Sequence, residues 1–236
     1  MKNKTQFIKT LGELNMKTPI KALVFDVYGT LFDVHSVERK CDAIYKGYGA
    51  EISQVWRRKQ LEYSFLRQIM GQYESFKQVT LDALKFALEK LELSYDDVQL
   101  KSILAEYEKL DPYTEVEKVL SEVDDKQRVI FSNGSRDMLE PLVEQSRIAE
   151  YVDNVISVDD IKQYKPSPAA YMQVLNTLGI DREEILFMSS NGWDISGAKS
   201  FGFKTVWINR SGAPVEVLNL KPDYILQDLN GILDLL

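Results

Sequence analysis

The chain of 236 residues has one cysteine, Cys41, and one histidine, His35. A lone cysteine excludes an internal disulfide, suits a reducing compartment, and reads best as a small buried hydrophobe. With a single histidine and no Gly-x-Ser-x-Gly elbow, a Ser–His–Asp mechanism lacks its parts. His35, just after an apolar run and before Ser36 as the expected helix cap, reads as structural. Long apolar runs are missing too. No stretch reaches the roughly 18 apolar residues that span a bilayer, and Met1 to Pro19 lacks the apolar segment of a signal peptide. A cytoplasmic location without membrane contact is therefore expected. Nor is there a run of like charge: the net charge of −7 is spread over interleaved acids and bases, so no basic face offers itself to nucleic acid. Internal repeats and low-complexity segments are likewise lacking.

What is present is ample apolar material. Hydrophobic residues make up 44% of the chain, enough for a full core in one large or two modest domains. Residues 1–19 are read as a disordered or weakly helical extension, with Met16 a second candidate start. The run from Ile20 to Phe25 is almost wholly apolar and ends at Asp26 and the turn Val27-Tyr28-Gly29-Thr30. That pattern is expected of a strand buried on both faces of a parallel sheet. Such a strand carries Asp26 to its carboxyl end, where open α/β sheets bind ligands. The bland alternative is an aspartate that starts a turn or caps a helix.

The period changes after Thr30. From Val34 to Leu110 the apolar spacing predicts about four helices and no strand. One of these places Ile52, Val55, Trp56, Tyr63, Leu66 and Met70 on a single face, and the last does the same with Val98, Leu104 and Tyr107. Asp111-Pro112 closes the block, because proline pushes the preceding residue out of the helical region. Beyond Tyr113, short apolar strands at 129–131, 155–158, 185–188 and 205–208 alternate with helical segments. The expected fold is α/β: a doubly wound, Rossmann-like parallel sheet with an inserted helical-bundle cap. Its core is expected to span 20–33 and 112–236, with the cap at 34–111 over the strand tips. A cleft between cap and sheet is the expected site.

Polar groups converge on that cleft from several strand ends. Asp26 and Thr30 follow the first strand, Ser132 and Asn133 the second, and Lys165 lies in the loop Tyr164-Lys165-Pro166. Ser189, Asn191 and Asp194 follow the strand at 185–188. Each alone suits a turn, an exposed loop or a first helical turn. Their convergence points to chemistry.

Asp26-x-Tyr28-Gly29-Thr30, Ser132-Asn133-Gly134, Lys165-Pro166 and Ser189-Ser190-Asn191-Gly192-Trp193-Asp194 resemble, in order, the four motifs of the haloacid dehalogenase superfamily. Within it, Phe25 to Ser36 and Trp56-Arg57-x-Lys59-Gln60-Leu61-Glu62-Tyr63 are most similar to the L-2-haloacid dehalogenases. Magnesium-dependent phosphatases of the superfamily carry a second aspartate two residues after the nucleophile and an acid four residues before the Asp194 position. Here those places hold Tyr28 and Ser190, which leaves hard Mg²⁺ short of oxygen ligands, so no metal or cofactor is expected.

The resemblance implies that Asp26 displaces halide from C2 of a 2-haloalkanoate with inversion, forming an ester that water then cleaves. It implies Asp194 as the water-activating base, Lys165 as the cation that keeps both carboxylates ionised, and Tyr171 tied to that pair. Thr30, Ser189 and Asn191 would orient Asp26 or the water, and Ser132 would hold the substrate carboxylate. Arg57, with Asn133, would receive the halide, since a guanidinium is always charged. Tyr28, Leu61, Phe76 and Trp193 would wall the alkyl group. Arg58, where members of the group can carry glutamine, bears on the pocket mouth. A homodimer joined through cap helices is implied by the resemblance alone. The alternatives are a phosphatase with an atypical site and a catalytically silent binding protein.

Overall fold

The run at Ala22 does become the centre of a sheet. A computed structural model describes residues 18–236, so Met16 and nearly all of the expected N-terminal extension lie outside the described residues. Strand β1 (Ala22–Phe25) is buried at all four positions. It pairs in parallel with β2 (Gln127–Ser132) on one side and β4 (Ile185–Ser189) on the other, so Val24 faces both Val129 and Phe187. With β3 (Asn154–Ser157), β5 (Lys204–Ile208) and β6 (Tyr224–Leu226), the six parallel strands run in the order β3-β2-β1-β4-β5-β6. Strand order reverses between β1 and β4, and at such a switch the loops diverge and open a crevice. Helices α5 (Val116–Glu122), α6 (Arg136–Glu144), α7 (Pro168–Leu178) and α8 (Gly192–Phe201) supply the crossovers. β6 escapes the sequence pattern: it has three residues, none of them buried, with Ile225 half exposed, so no apolar run marks it.

Between β1 and β2 the chain forms α1 (His35–Ile44), α2 (Gly49–Met70), α3 (Phe76–Lys90) and α4 (Asp97–Leu104), followed by a 3-10 turn over Ala105–Glu108. Local signals set these ends. Ser75 caps α3 by accepting from Gln78 N–H, Asp96 and Gln99 close a reciprocal box at α4, and Gly71 leaves α2 with φ of 65°. Ser36 is not the cap of α1. The helix already includes it, and Asp33 Oδ1 instead accepts the His35 backbone N–H at 2.9 Å while also touching the His35 ring.

Ile52, Val55 and Trp56 of α2 are buried as expected, but Leu66, Met70 and, in α4, Val98 are exposed. By its last turns α2 faces the sheet through Phe65, whose ring lies 5.3 Å from Trp193, and through Gln68, which bonds Gln163. Leu66, Ile69 and Met70 are thereby turned outward. The entry and exit of this helical block meet where Asp33 N–H donates to Asp111 O and Tyr113 N–H donates to Leu31 O, both at 2.9 Å. That crossing hangs the helices over the end of β1.

Candidate active site

Asp26 emerges from β1 almost fully buried, and each carboxylate oxygen has its own partners. Oδ2 accepts from Thr30 Oγ1 at 3.1 Å, Ser189 Oγ at 3.2 Å and Asn191 Nδ2 at 2.9 Å. Oδ1 accepts from Lys165 Nζ at 3.0 Å. Gly29, at φ 84°, makes the tight turn after β1 that returns Thr30 to the carboxylate. The Thr30 hydroxyl in turn accepts the Ser190 N–H at 2.8 Å, locking the β1 and β4 loops together.

Lys165 has no solvent exposure, against the usual expectation for a loop lysine. Its ammonium sits between two carboxylates, 3.0 Å from Asp26 and 2.6 Å from Asp194 Oδ2, with Phe131 O at 3.2 Å as its third partner. Burial opposes that charge, but Asp194 and Asp26 outweigh it and hold the lysine pKa above its ordinary value. Asp194, in the first turn of α8, is wholly buried. Burial pushes its pKa up to about 6, with Asp26 adding to the rise while Lys165 and the Tyr171 hydroxyl restrain it. Tyr171, from α7, donates to Asp194 Oδ1 at 2.8 Å from behind the cleft. Burial raises the Tyr171 pKa well above the ordinary tyrosine value, which keeps it a donor.

Over the carboxylates lies a cleft lined by Tyr28, Arg57, Leu61, Phe76, Ser132, Asn133 and Trp193 together with Asp26, Lys165 and Asn191. Arg57 reaches down from α2, and its Nη2 donates to Asn191 Oδ1 at 3.3 Å. Neighbouring Arg58 points to solvent. Asn133 Oδ1 accepts the Lys165 backbone N–H at 2.8 Å, and Ser132 Oγ accepts the Gly134 N–H at 3.0 Å. Tyr28 stacks on Phe76 with centroids 6.1 Å apart. The Tyr28 hydroxyl and Trp193 Nε1 are buried without a protein partner among the described residues, two donors left for a guest. Every site residue expected from the sequence thus lies in or directly behind one cleft. Sequence reasoning gave no role to Gln60 or Thr80, which contact Arg57 directly and at one remove; Gln60 appeared only as part of the stretch that carries the resemblance.

About 10 Å³ of free space remains in this cleft, room for about one water molecule. A much larger groove of about 740 Å³ opens at the crossing into the helical block, beside Asp33, Tyr113 and Arg147, and no candidate site residue lines it. Chemistry rather than size selects the smaller cleft. Among the described residues no three His, Cys, Asp or Glu side chains gather so as to hold a metal ion.

A family model described as haloacid dehalogenase-like hydrolase matches residues 20–202. Over 220 residues the chain is 42% identical to an (S)-2-haloacid dehalogenase of Pseudomonas sp. strain YL, covering 92% of this chain and 94% of that protein. A second (S)-2-haloacid dehalogenase, from Xanthobacter autotrophicus, is 46% identical over 191 residues, covering 81% of this chain and 76% of that one. The solved structure of L-2-haloacid dehalogenase from Xanthobacter autotrophicus with chloropropionic acid covalently bound is 40% identical, with a TM-score of 0.87 over 92% of this chain and 98% of that one. With a family model spanning most of its length and relatives that cover nearly all of it, the chain belongs to the haloacid dehalogenase-like hydrolases.

Proposed function

We propose that the protein is a hydrolytic dehalogenase of L-2-haloalkanoic acids that yields D-2-hydroxyalkanoic acids and halide. The observation that carries this reading is a pair of buried carboxylates, Asp26 and Asp194, held by one ammonium beneath an arginine from the helical block. In the first step an Asp26 oxygen attacks C2, the carbon–halogen bond breaks, and the halide leaves with the bonding electrons toward Arg57 and Asn133. Inversion occurs here. The leaving halide needs no proton, so an aromatic wall at Tyr28 suffices where a phosphatase would place an acid. Ser132, with the backbone N–H groups at the start of α6, faces the substrate carboxylate.

In the second step Asp194 takes a proton from water, whose oxygen adds to the Asp26 carboxyl carbon. The negative charge that develops falls on an oxygen already met by donors: Thr30, Ser189 and Asn191 around Oδ2, or Lys165 at Oδ1. Breaking the bond between that carbon and the ester oxygen, with the proton on Asp194 passing to that oxygen, releases the hydroxy acid, and loss of the remaining proton to solvent restores the Asp26 carboxylate. Splitting one displacement into two steps is what an activated carboxylate nucleophile offers.

Residues 34–111 are read as a cap domain that closes the cleft. We also read the chain as a homodimer that covers Leu66, Ile69 and Met70, the outward ridge of α2; light scattering at working concentration should give twice the monomer mass, and a monomer would remove this part. A reducing, cytoplasmic setting suits the buried Cys41, whose pKa burial pushes up to about 12. The decisive experiment is a single turnover of excess enzyme with L-2-chloropropionate in heavy-oxygen water. The label is expected in the Asp26 peptide and not in the lactate, and Asp26→Asn is expected to release no halide. Heavy oxygen in lactate on the first turnover would overturn the ester route.

A further inference from the structure

Gln60 is wholly buried on α2, one turn beyond Arg57, and nothing in the reaction scheme uses it. A buried amide must find partners. Its carbonyl oxygen accepts from Arg57 Nη1 at 2.7 Å, and its Nε2 donates to Thr80 Oγ1 at 2.7 Å. The Thr80 hydroxyl has a single proton, which goes to Phe76 O at 2.6 Å. Toward Gln60 that hydroxyl therefore only accepts, so the amide nitrogen must face Thr80 and the amide oxygen must face Arg57. Trp56 Nε1 donates to Thr80 O at 2.8 Å, so the same turn of α3 that receives Gln60 is also tied back to α2.

The Arg57 guanidinium thus rests on two neutral amide oxygens, Gln60 Oε1 and Asn191 Oδ1. Among the described residues it makes no ion pair. A carboxylate in either place would fix the guanidinium equally well and cancel its charge. A neutral acceptor fixes it and leaves the charge for an anion in a dry cleft, where the attraction is strongest.

We propose that Gln60 is a positioning residue for halide departure: it aims Arg57 at the leaving group without neutralising it. This rests on the reading that Arg57 receives the halide, and the test separates the two. Gln60→Met removes both hydrogen bonds at similar volume; Gln60→Glu keeps an acceptor for Arg57 but adds a negative charge. Arg57→Ala and Arg57→Ala/Gln60→Met complete the set, with thermal unfolding and circular dichroism as the check on folding. The readouts are kcat and KM for L-2-chloropropionate and product inhibition by bromide.

Both single Gln60 variants are expected to lose about 10- to 100-fold in kcat, the loss typical of a misplaced catalytic group. Gln60→Glu is also expected to weaken bromide inhibition at least as much as Gln60→Met. The double variant should be no slower than Arg57→Ala. If Gln60→Glu restores turnover and bromide inhibition relative to Gln60→Met, or if the losses add in the double variant, the charge-sparing clamp is wrong. Wild-type rates and bromide inhibition in Arg57→Ala would remove the halide acceptor, and the clamp with it. An impaired Arg57→Ala beside unimpaired Gln60 variants would remove the clamp alone.

Discussion

Asp194 has to be charged to act as a base, yet every surrounding surface is protein. Its folded pKa of about 6 stands above the unfolded aspartate value of about 3.9. The sign follows directly. Ionising Asp194 opposes folding, so its contribution to stability is most favourable below about pH 4, declines as pH rises from about 4 to 6, and is level above that. In the proposed scheme catalysis runs the other way, because only the ionised form can take the proton from water. The rate of ester hydrolysis is therefore expected to fall on the acid side with an apparent pKa below about 6, because the Asp26 charge that helps raise Asp194 is absent from the ester, and this is measurable as the second phase of a single turnover across pH. Asp194→Asn should release about one halide per site and then stop, with the protein's mass increased by the trapped 1-carboxyethyl group on Asp26. Continued turnover in that variant would exclude Asp194 as the base.

Elements matter here through their close approaches. Helix α8 brings Gly197 so near α7 that an added Cβ would lie 2.4 Å from the Tyr171 hydroxyl and 2.5 Å from Pro166 Cβ. The crowded groups are the one that bonds Asp194 and the residue that follows Lys165. Gly197→Ala is expected to destabilise the fold by about 1–3 kcal/mol through overpacking. It should also lower kcat by more than the lost stability explains, since it displaces Tyr171 from Asp194. Thermal unfolding alongside kcat well below the melting temperature separates the two effects, and unchanged kcat would show that α7 can give way harmlessly. The same scale accounts for the sequence patterns that failed. Period put Leu66 and Met70 on one face with Ile52 and Trp56, but periodicity names a face and says nothing about whether a neighbour reaches it. α2 is long enough for its last turns to meet the sheet domain through Phe65 and Gln68, which leaves Leu66 and Met70 turned outward.

For the molecule as a whole, the proposed reading of residues 34–111 as a cap makes the contact between helical block and sheet the control on access. Substrate entry requires movement, since the closed cleft holds about one water molecule. Polar contacts at the far end of α2 secure the closed form. Gln68 donates to Gln163 Oε1 and accepts the Tyr164 N–H, both at 2.7 Å, and Tyr73 donates to Asp159 Oδ1 at 2.7 Å. These bonds grip the loop that carries Lys165, so closure and placement of the ammonium are joined. Gln68→Leu together with Tyr73→Phe removes three hydrogen bonds of about 1 kcal/mol each, which should shift the closed population by up to about 100-fold. The expected signature is faster amide exchange in α2 and in residues 159–165 with a raised KM, while the melting temperature changes by only a few degrees. Unchanged exchange in both segments would mean that these contacts are incidental to closure.

The sequence by itself determined the parallel sheet, the helical insertion after β1, and the group of residues that meets at the strand tips. Those features follow from local rules: two-sided burial makes an apolar run, helices repeat with their own period, and turns need particular residues. It determined family membership as well, through motifs whose order survives in one dimension. Tertiary structure alone decided that Lys165 is dry and shared by two carboxylates, that burial raises the Asp194 pKa, and that a neutral amide oxygen meets Arg57. Each of these depends on which distant groups come within a few ångströms of one another and on how much water they exclude. Neither distance nor dielectric is written in the order of the residues.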